Sequence, residues 1–284
     1  GARFGFSLVG LILITNLLKY PFLLVGTRFT ASTGMSLLEG FKKRNSLYLP
    51  IFLIISLITG TFTIAAVSFV SGVLLTNIPL FSNFPPMDLS IMVLVICGFI
   101  LLIGKYKALD RLSKILVSIL TILTFFAVIS LLTKGSFNNE LITTFYQSES
   151  SPWRLSNLSF LIPLMGWMPC PVELCVWPSL WMFSKNKVSK YKPTVQEAEF
   201  DFNLGYFLTI LTAIFFVTLG AITMYGTGEG MLSGSGVSFA QNLIKLYTES
   251  IGEWSKWVII PASFAAMFST TLTCLDAYPR SISS

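Results

Sequence analysis

The stretch LSFLIPLMGWMPCPVELCVWPSLWMF, Leu158 to Phe183, is long and apolar enough to cross a bilayer, yet it is composed against being an ordinary spanning helix. It carries Pro163, Pro169, Pro171 and Pro178, a central Gly-Trp-Met-Pro-Cys-Pro, and one acid, Glu173. Proline has no N–H to offer the carbonyl four residues back. Pro169 therefore frees the carbonyl of Met165, and Pro171 frees that of Trp167. Unpaired carbonyls are costly in hydrocarbon, so such backbone persists only inside protein or against a wet cavity. Peptide oxygens facing a cavity at mid-membrane depth suit a hard cation. The contrary reading is a kinked structural helix, because isolated prolines are tolerated in spanning helices. Two prolines flanking Cys170, with Met168 and Glu173 beside them, favour a break with a binding role.

The rest of the chain agrees with a membrane setting. Of 284 residues, 54% are hydrophobic and only 11% charged, with a mean hydropathy of +0.75. Several apolar runs reach spanning length, so the fold class is an all-α polytopic membrane protein, in one transmembrane domain over 1–284. The net charge of +6 sits in short loops and reports orientation; it does not indicate nucleic acid. Cys97, Cys170, Cys175 and Cys274 all fall in apolar segments and form no CxxC pair, which argues against a disulfide framework or a zinc site. There is no histidine, which removes the commonest transition-metal ligand and proton shuttle. No signal peptide is visible, the first residue is not methionine, and the pattern reads as a fragment of a longer protein.

Seven spans are expected: Phe4 to Val25, Leu49 to Leu74, Leu89 to Ile103, Ile115 to Leu132, the broken Leu158 to Phe183, Asn203 to Tyr225, and Trp257 to Cys274 extending to Tyr278. Lys19 lies well inside the first. A charge there faces protein or water, and snorkelling to the near interface is the simpler reading. Thr27 to Asn45 continues that helix toward water. Thr59, Thr61, Thr63 and Ser68 are candidates for bonds between helices. KYKALDRLSK, from Lys105, reads as a basic turn, Lys134 to Asn157 as a polar loop with Trp153 as an interface anchor, and Ser184 to Asp201 as a solvated loop. GTGEGMLSGSG, from Gly226, matches no phosphate-binding pattern and reads as a flexible connection. Phe239 to Tyr247 reads as a short interfacial helix. Asp276 and Arg280, four apart, read as a surface pair.

Arg28, Lys42, Lys43 and Arg44, then Lys105, Lys107, Arg111 and Lys114, then Lys185, Lys187, Lys190 and Lys192 mark alternate loops. The intervening loops hold only Lys134, Arg154, Lys245 and Lys256. The positive-inside rule makes the first set cytoplasmic, with the chain starting outside and ending inside.

Three segments, LLKYPFLLVGTRFTASTGMSLLEGF (Leu17 to Phe41), LMGWMPCPVELCVW (Leu164 to Trp177) and TTLTCLDAYPR (Thr270 to Arg280), resemble the Nramp family of divalent-metal transporters, most closely its Nramp-related bacterial branch. The resemblance implies a LeuT-type fold of two inverted five-helix repeats. Residues 1–134 would be the remainder of the first repeat and 158–284 the start of the second. It implies that the broken span is the sixth helix of the whole protein. In the family that helix gives a methionine sulfur and a carbonyl three residues earlier, positions that match Met168 and Met165. Gly166, Trp167, Pro169, Cys170, Glu173 and Lys19 lie near them. The family's first helix, which brings an aspartate and an asparagine to the metal, is absent from this chain. The family usually has histidine where Cys170 stands, and often a neutral polar residue where Lys19 stands. A cation at Lys19 would repel a metal unless it is turned away.

The leading function is passage of a divalent cation of the manganese, iron or magnesium kind by alternating access around the broken helix. The metal would be cargo, and no resident cofactor is expected. Glu173 and Pro171 suit the start of the second half-helix, where Glu173 either caps it or contacts a hydrated ion. Trp167 and Trp177 either shape the cavity or simply pack. The alternatives are a symporter for an amino acid or other small solute on the same scaffold, and a non-transporting fragment or sensor. No nucleophile–base set appears, which argues against an enzyme. The expected partners are the bilayer, the cation and the missing helices of the full-length chain. The expected location is the bacterial inner membrane.

Overall fold

The structure is a computed structural model that describes residues 1–103, 106–133, 152–189, 191–225 and 236–283. Among these residues there are helices and no strands. The helices are α1 (Ser7–Thr33), α2 (Leu37–Arg44), α3 (Tyr48–Leu75), α4 (Pro86–Ile103), α5 (Tyr106–Thr133), α6 (Leu158–Trp167), α7 (Val176–Ser189), α8 (Val195–Thr223), α9 (Gly236–Ile251) and α10 (Lys256–Ser283). Six described stretches are long and apolar enough to cross a membrane: α1, α3, α4, the broken Leu155–Asn186, α8 and Glu253–Ser283. The expected fourth span is the apolar part of α5, Ser118–Thr133, which is shorter. The supposed basic turn before it is helical from Tyr106. Lys107, Ala108, Leu109 and Arg111 are good helix formers with no Gly or Pro among them.

Two other boundaries move for local reasons. The helix expected to run on through Asn45 stops at Thr33, where Gly34 adopts a φ of 71°. A separate α2 then starts from a capping box, in which Glu39 N–H donates to Ser36 Oγ and Ser36 N–H to Glu39 Oε2. The sixth span begins at Val195, well before Asn203, because Thr194 and Glu197 form a second such box. The glycine-rich connection, most of the polar loop from Lys134, and the loop charges Lys105, Lys134 and Lys190 lie outside the described residues.

The chain forms two compact units. One comprises Gly1–Leu8, Thr61–Ser151 and Phe215–Asp276. Its core packs Ala127, Val128 and Leu131 of α5 against Leu246 and Tyr247 of α9. The Tyr247 and Thr124 hydroxyls lie 2.6 Å apart, both buried. The helix expected at an interface is therefore a core element: its apolar face finds α5. In the same unit Gly72 lets α3 meet α4 closely, since a Cβ there would stand 2.5 Å from the Pro86 carbonyl oxygen. The hydroxyls of Ser71 and Thr271 lie 3.3 Å apart. Thr59 and Ser68, candidates for such contacts, instead bond carbonyls of their own helix.

The other unit comprises Val9–Gly60, Pro152–Ile214 and Ala277–Ser284. It holds α2, α6, α7 and most of α1. Its core gathers Leu23, Leu37, Leu38, Cys175, Val176 and Leu180. The Ser179 hydroxyl fastens three helices together. It accepts from the Leu37 N–H and from Thr30 Oγ1, each at 2.7 Å, and all three residues are buried. Gly26 of α1 lies so close to the carbonyl oxygen of Cys175 that a Cβ there would overlap it. The four cysteines are free.

Candidate cation cradle at the broken helix

α6 stops at Trp167. Its last backbone bond runs from the Met168 N–H to the Leu164 carbonyl, 3.0 Å. Met168 is extended (φ −97°, ψ 125°), the Met168–Pro169 peptide is cis, and Pro171 holds φ −57°, ψ 142°. A single 3₁₀ turn, Val172–Cys175, follows before α7 begins. The expected break is thus present. Pro171 stands just before the second half-helix, and Glu173 lies in the 3₁₀ turn ahead of α7.

The break leaves peptide oxygens without helical partners. Pro169 has no N–H for the Met165 carbonyl. The chain has left the helix before Cys170 can reach back to Gly166. The Leu174 N–H goes to Pro171 at 3.1 Å, not to Cys170. All three oxygens are taken by one side chain. Lys19 Nζ donates to Met165 O at 2.6 Å, Gly166 O at 2.7 Å and Cys170 O at 3.2 Å. An ammonium has three N–H donors, and here each has an acceptor.

Lys19 faces protein, as a charge inside a spanning helix is expected to, and its head lies on the break instead of turning away from it. The physical reason is mutual need. Bare carbonyls away from water require donors, and a charge inside a spanning helix requires acceptors. The signal was in the sequence as two separate anomalies, a lysine inside an apolar helix and a proline-paired break. Only the fold shows that each answers the other.

Packing around Lys19 fixes α1 against α8. Tyr206 Oη donates to the Asn16 carbonyl and Tyr20 Oη to Asn203 Oδ1, both at 2.7 Å. The Tyr20 and Tyr206 rings meet edge-on at 5.5 Å. Glu173 is half-buried and near enough to attract the Lys19 ammonium electrostatically. Met165 and Met168 are also half-buried, while Trp167 is 51% exposed at the end of α6. Trp177 is buried and packs edge-on against Tyr278 at 5.0 Å.

A cavity of about 770 Å³ opens beside the break. Pro169 and Cys170 line one part of it, and Trp181, Phe202 and Tyr206 supply aromatic walls. The Thr27 hydroxyl, on its lining, is buried without a partner. Asp201 and Lys185 also border it, so the segment taken for a solvated face contributes to the wall. Of the acids there, Glu199 pairs with Arg28 at 2.9 Å and Glu197 caps α8. Trp181 and Thr27 were not singled out by the sequence; nothing in their spacing marks them.

Among the described residues no three or more Cys, Asp or Glu side chains gather as a metal cluster. Residues 1–278 match the family described as natural resistance-associated macrophage protein-like. The chain belongs to the Nramp family. It is also similar to an uncharacterized protein of Pasteurella multocida (strain Pm70), 37% identical over 280 residues. That match covers 99% of this chain and 63% of the relative, so the chain spans less than two thirds of the relative's length. Nramp membership and the apolar helices make this an integral, multi-pass membrane protein.

Proposed function

We propose that the protein containing this chain moves a divalent cation across a membrane, with the break at Met168–Pro171 as this chain's part of the binding site. One observation carries the reading. Three peptide oxygens, from Met165, Gly166 and Cys170, converge within 2.6–3.2 Å of a single positive nitrogen. The break is thus a cradle for positive charge, and the Lys19 ammonium stands where a cation is held. The Met165 carbonyl would give the cargo oxygen, and the Met168 sulfur would favour softer ions over magnesium. Family membership supports a LeuT-type fold, with 1–134 and 158–284 belonging to its two inverted repeats, alternating access, residence in a bacterial inner membrane, and transport in place of catalysis.

Lys19 and a dication do not share the cradle. Two unit charges 4 Å apart interact by about 4 kcal/mol at an effective dielectric of 20, so an ammonium and a dication repel by about twice that. Cargo binding therefore requires Lys19 to move. The test is uptake of manganese, cadmium or magnesium into liposomes holding the full-length protein. Saturable uptake of at least one ion, absent from empty liposomes, supports the proposal, and no uptake of any overturns it.

A second reading, transport of an amino acid or other small organic solute, is favoured by the cavity. At about 770 Å³ it is far larger than an ion and has aromatic walls. The same liposomes, challenged with labelled amino acids without metal, separate the two.

A further inference from the structure

We infer that the Lys19 ammonium and the cargo cation are alternative occupants of one carbonyl cradle, so that Lys19 sets the concentration at which a cation enters. This inference rests on the transport reading above. It names a residue that determines specificity, and the geometry supports it in three ways.

First, occupancy is complete. The three N–H donors of Lys19 meet three carbonyl oxygens, including the one that Pro169 frees. A metal seeking the Met165 oxygen finds it bonded at 2.6 Å. Second, the spacing is that of a tethered ammonium. Contacts of 2.6, 2.7 and 3.2 Å are hydrogen-bond lengths. Calcium takes oxygens at about 2.3–2.6 Å and magnesium at about 2.0–2.1 Å. A dication entering the cradle must expel the nitrogen and also draw the oxygens inward, which discriminates most strongly against the smaller ion. Third, the occupant is removable. The lysine stem is flexible, and its head is a compact charge that no ring or fork holds in place. No proton needs to leave Lys19. Exchange of one cation for another is enough, and without cargo the lysine keeps the freed carbonyls satisfied.

The test is calorimetric titration of the full-length protein in detergent with manganese, cadmium and magnesium chlorides. Lys19→Gln keeps a donor near the carbonyls and removes the charge. It should bind manganese and cadmium at least tenfold more tightly than the unaltered protein, with a larger relative gain for magnesium. Unchanged or weaker binding by Lys19→Gln, where the unaltered protein does bind, overturns the competition and leaves the transport reading standing. Binding by neither protein overturns both. A second measurement needs no variant. Saturating manganese should raise the labelling of Lys19 by an amine-reactive reagent, read by mass spectrometry, at least threefold. Labelling that stays level or falls while manganese is bound overturns the inference.

Discussion

Among the described residues, two spanning segments contain more than one proline, and only one of them is broken. In α10, Pro261 and Pro279 stand far apart, and the helix continues through both from Lys256 to Ser283. Pro21 and Pro163 likewise sit inside α1 and α6. In the broken span, Pro169 and Pro171 flank a single residue, and the helix is lost from Met168 to Pro171. An isolated proline deletes one backbone bond, and the turns on either side carry the helix across. Two prolines so close remove consecutive anchors within one turn, and no intact turn bridges them. The difference teaches that spacing, more than proline content, decides whether a spanning segment supplies bare oxygens. It also shows where the oxygens go. At the pair they find Lys19, whose place on α1 is set by the tyrosines around it.

The largest expected effect comes from erasing the pair. Pro169→Ala with Pro171→Ala restores two N–H donors and lets the helix close over the Met165 and Trp167 carbonyls. Cation uptake into liposomes should fall at least about a hundredfold, which corresponds to about 2.7 kcal/mol of lost stabilisation. Hydrogen exchange should meanwhile show new protection across residues 168–171. Unchanged uptake with that protection present would show that the break has no part in transport.

Next in size is the close approach that seats α1 against the second half of the break. Gly26→Ala drives a methyl into the Cys175 carbonyl. Backbone must shift, at about 1–3 kcal/mol. Gly98→Ala in α4 meets nothing within 4 Å and serves as the matched control. Its thermal midpoint should hold or rise, because alanine outranks glycine in a helix by about 1 kcal/mol. Equal melting of the two variants would mean that the α1 approach is not a constraint.

Much of this was legible in the chain, and the reasons for the exceptions are physical. Apolar runs announce spanning helices because hydrocarbon leaves few other options, and the Pro-Cys-Pro break announces itself because a missing N–H is a local fact. The capping boxes at Ser36–Glu39 and Thr194–Glu197 were equally local, and reading them would have fixed the starts of α2 and α8. The partner of the break was not legible. Lys19 and Met165 are far apart in sequence, and no rule of spacing joins them. Charge repulsion suggested that a lysine so close to a cation site should turn away. Instead the carbonyls that the break frees and the lysine's own N–H donors pair with one another. The cavity was hidden for the same reason, since Thr27, Trp181 and Tyr206 come from three helices and share no pattern.

Met168 gives a finer division of the break. Met168→Ala removes a sulfur and leaves the backbone path and both prolines in place. Cadmium affinity, measured by calorimetry, should drop about tenfold, while magnesium, which avoids soft ligands, should change by less than about threefold. A parallel loss for both ions would assign Met168 to shaping the break and not to ligation.

The smallest effect belongs to the isolated proline, which closes the comparison from the other side. Pro261→Ala in α10 adds one N–H, which faces the Trp257 carbonyl a turn earlier. If a lone proline merely omits a bond that the helix survives without, restoring it should stabilise the protein by about 0.5–1.5 kcal/mol, the net worth of one hydrogen bond. Thermal unfolding reads this as a small upward shift. Liposome uptake should stay within about twofold, since an exposed proline on a continuous helix has freed no oxygen for a cation. A large loss of uptake would mean that α10, too, works by a weakened turn. Proline spacing would then no longer set the proposed site in the span from Leu158 apart from the other spans.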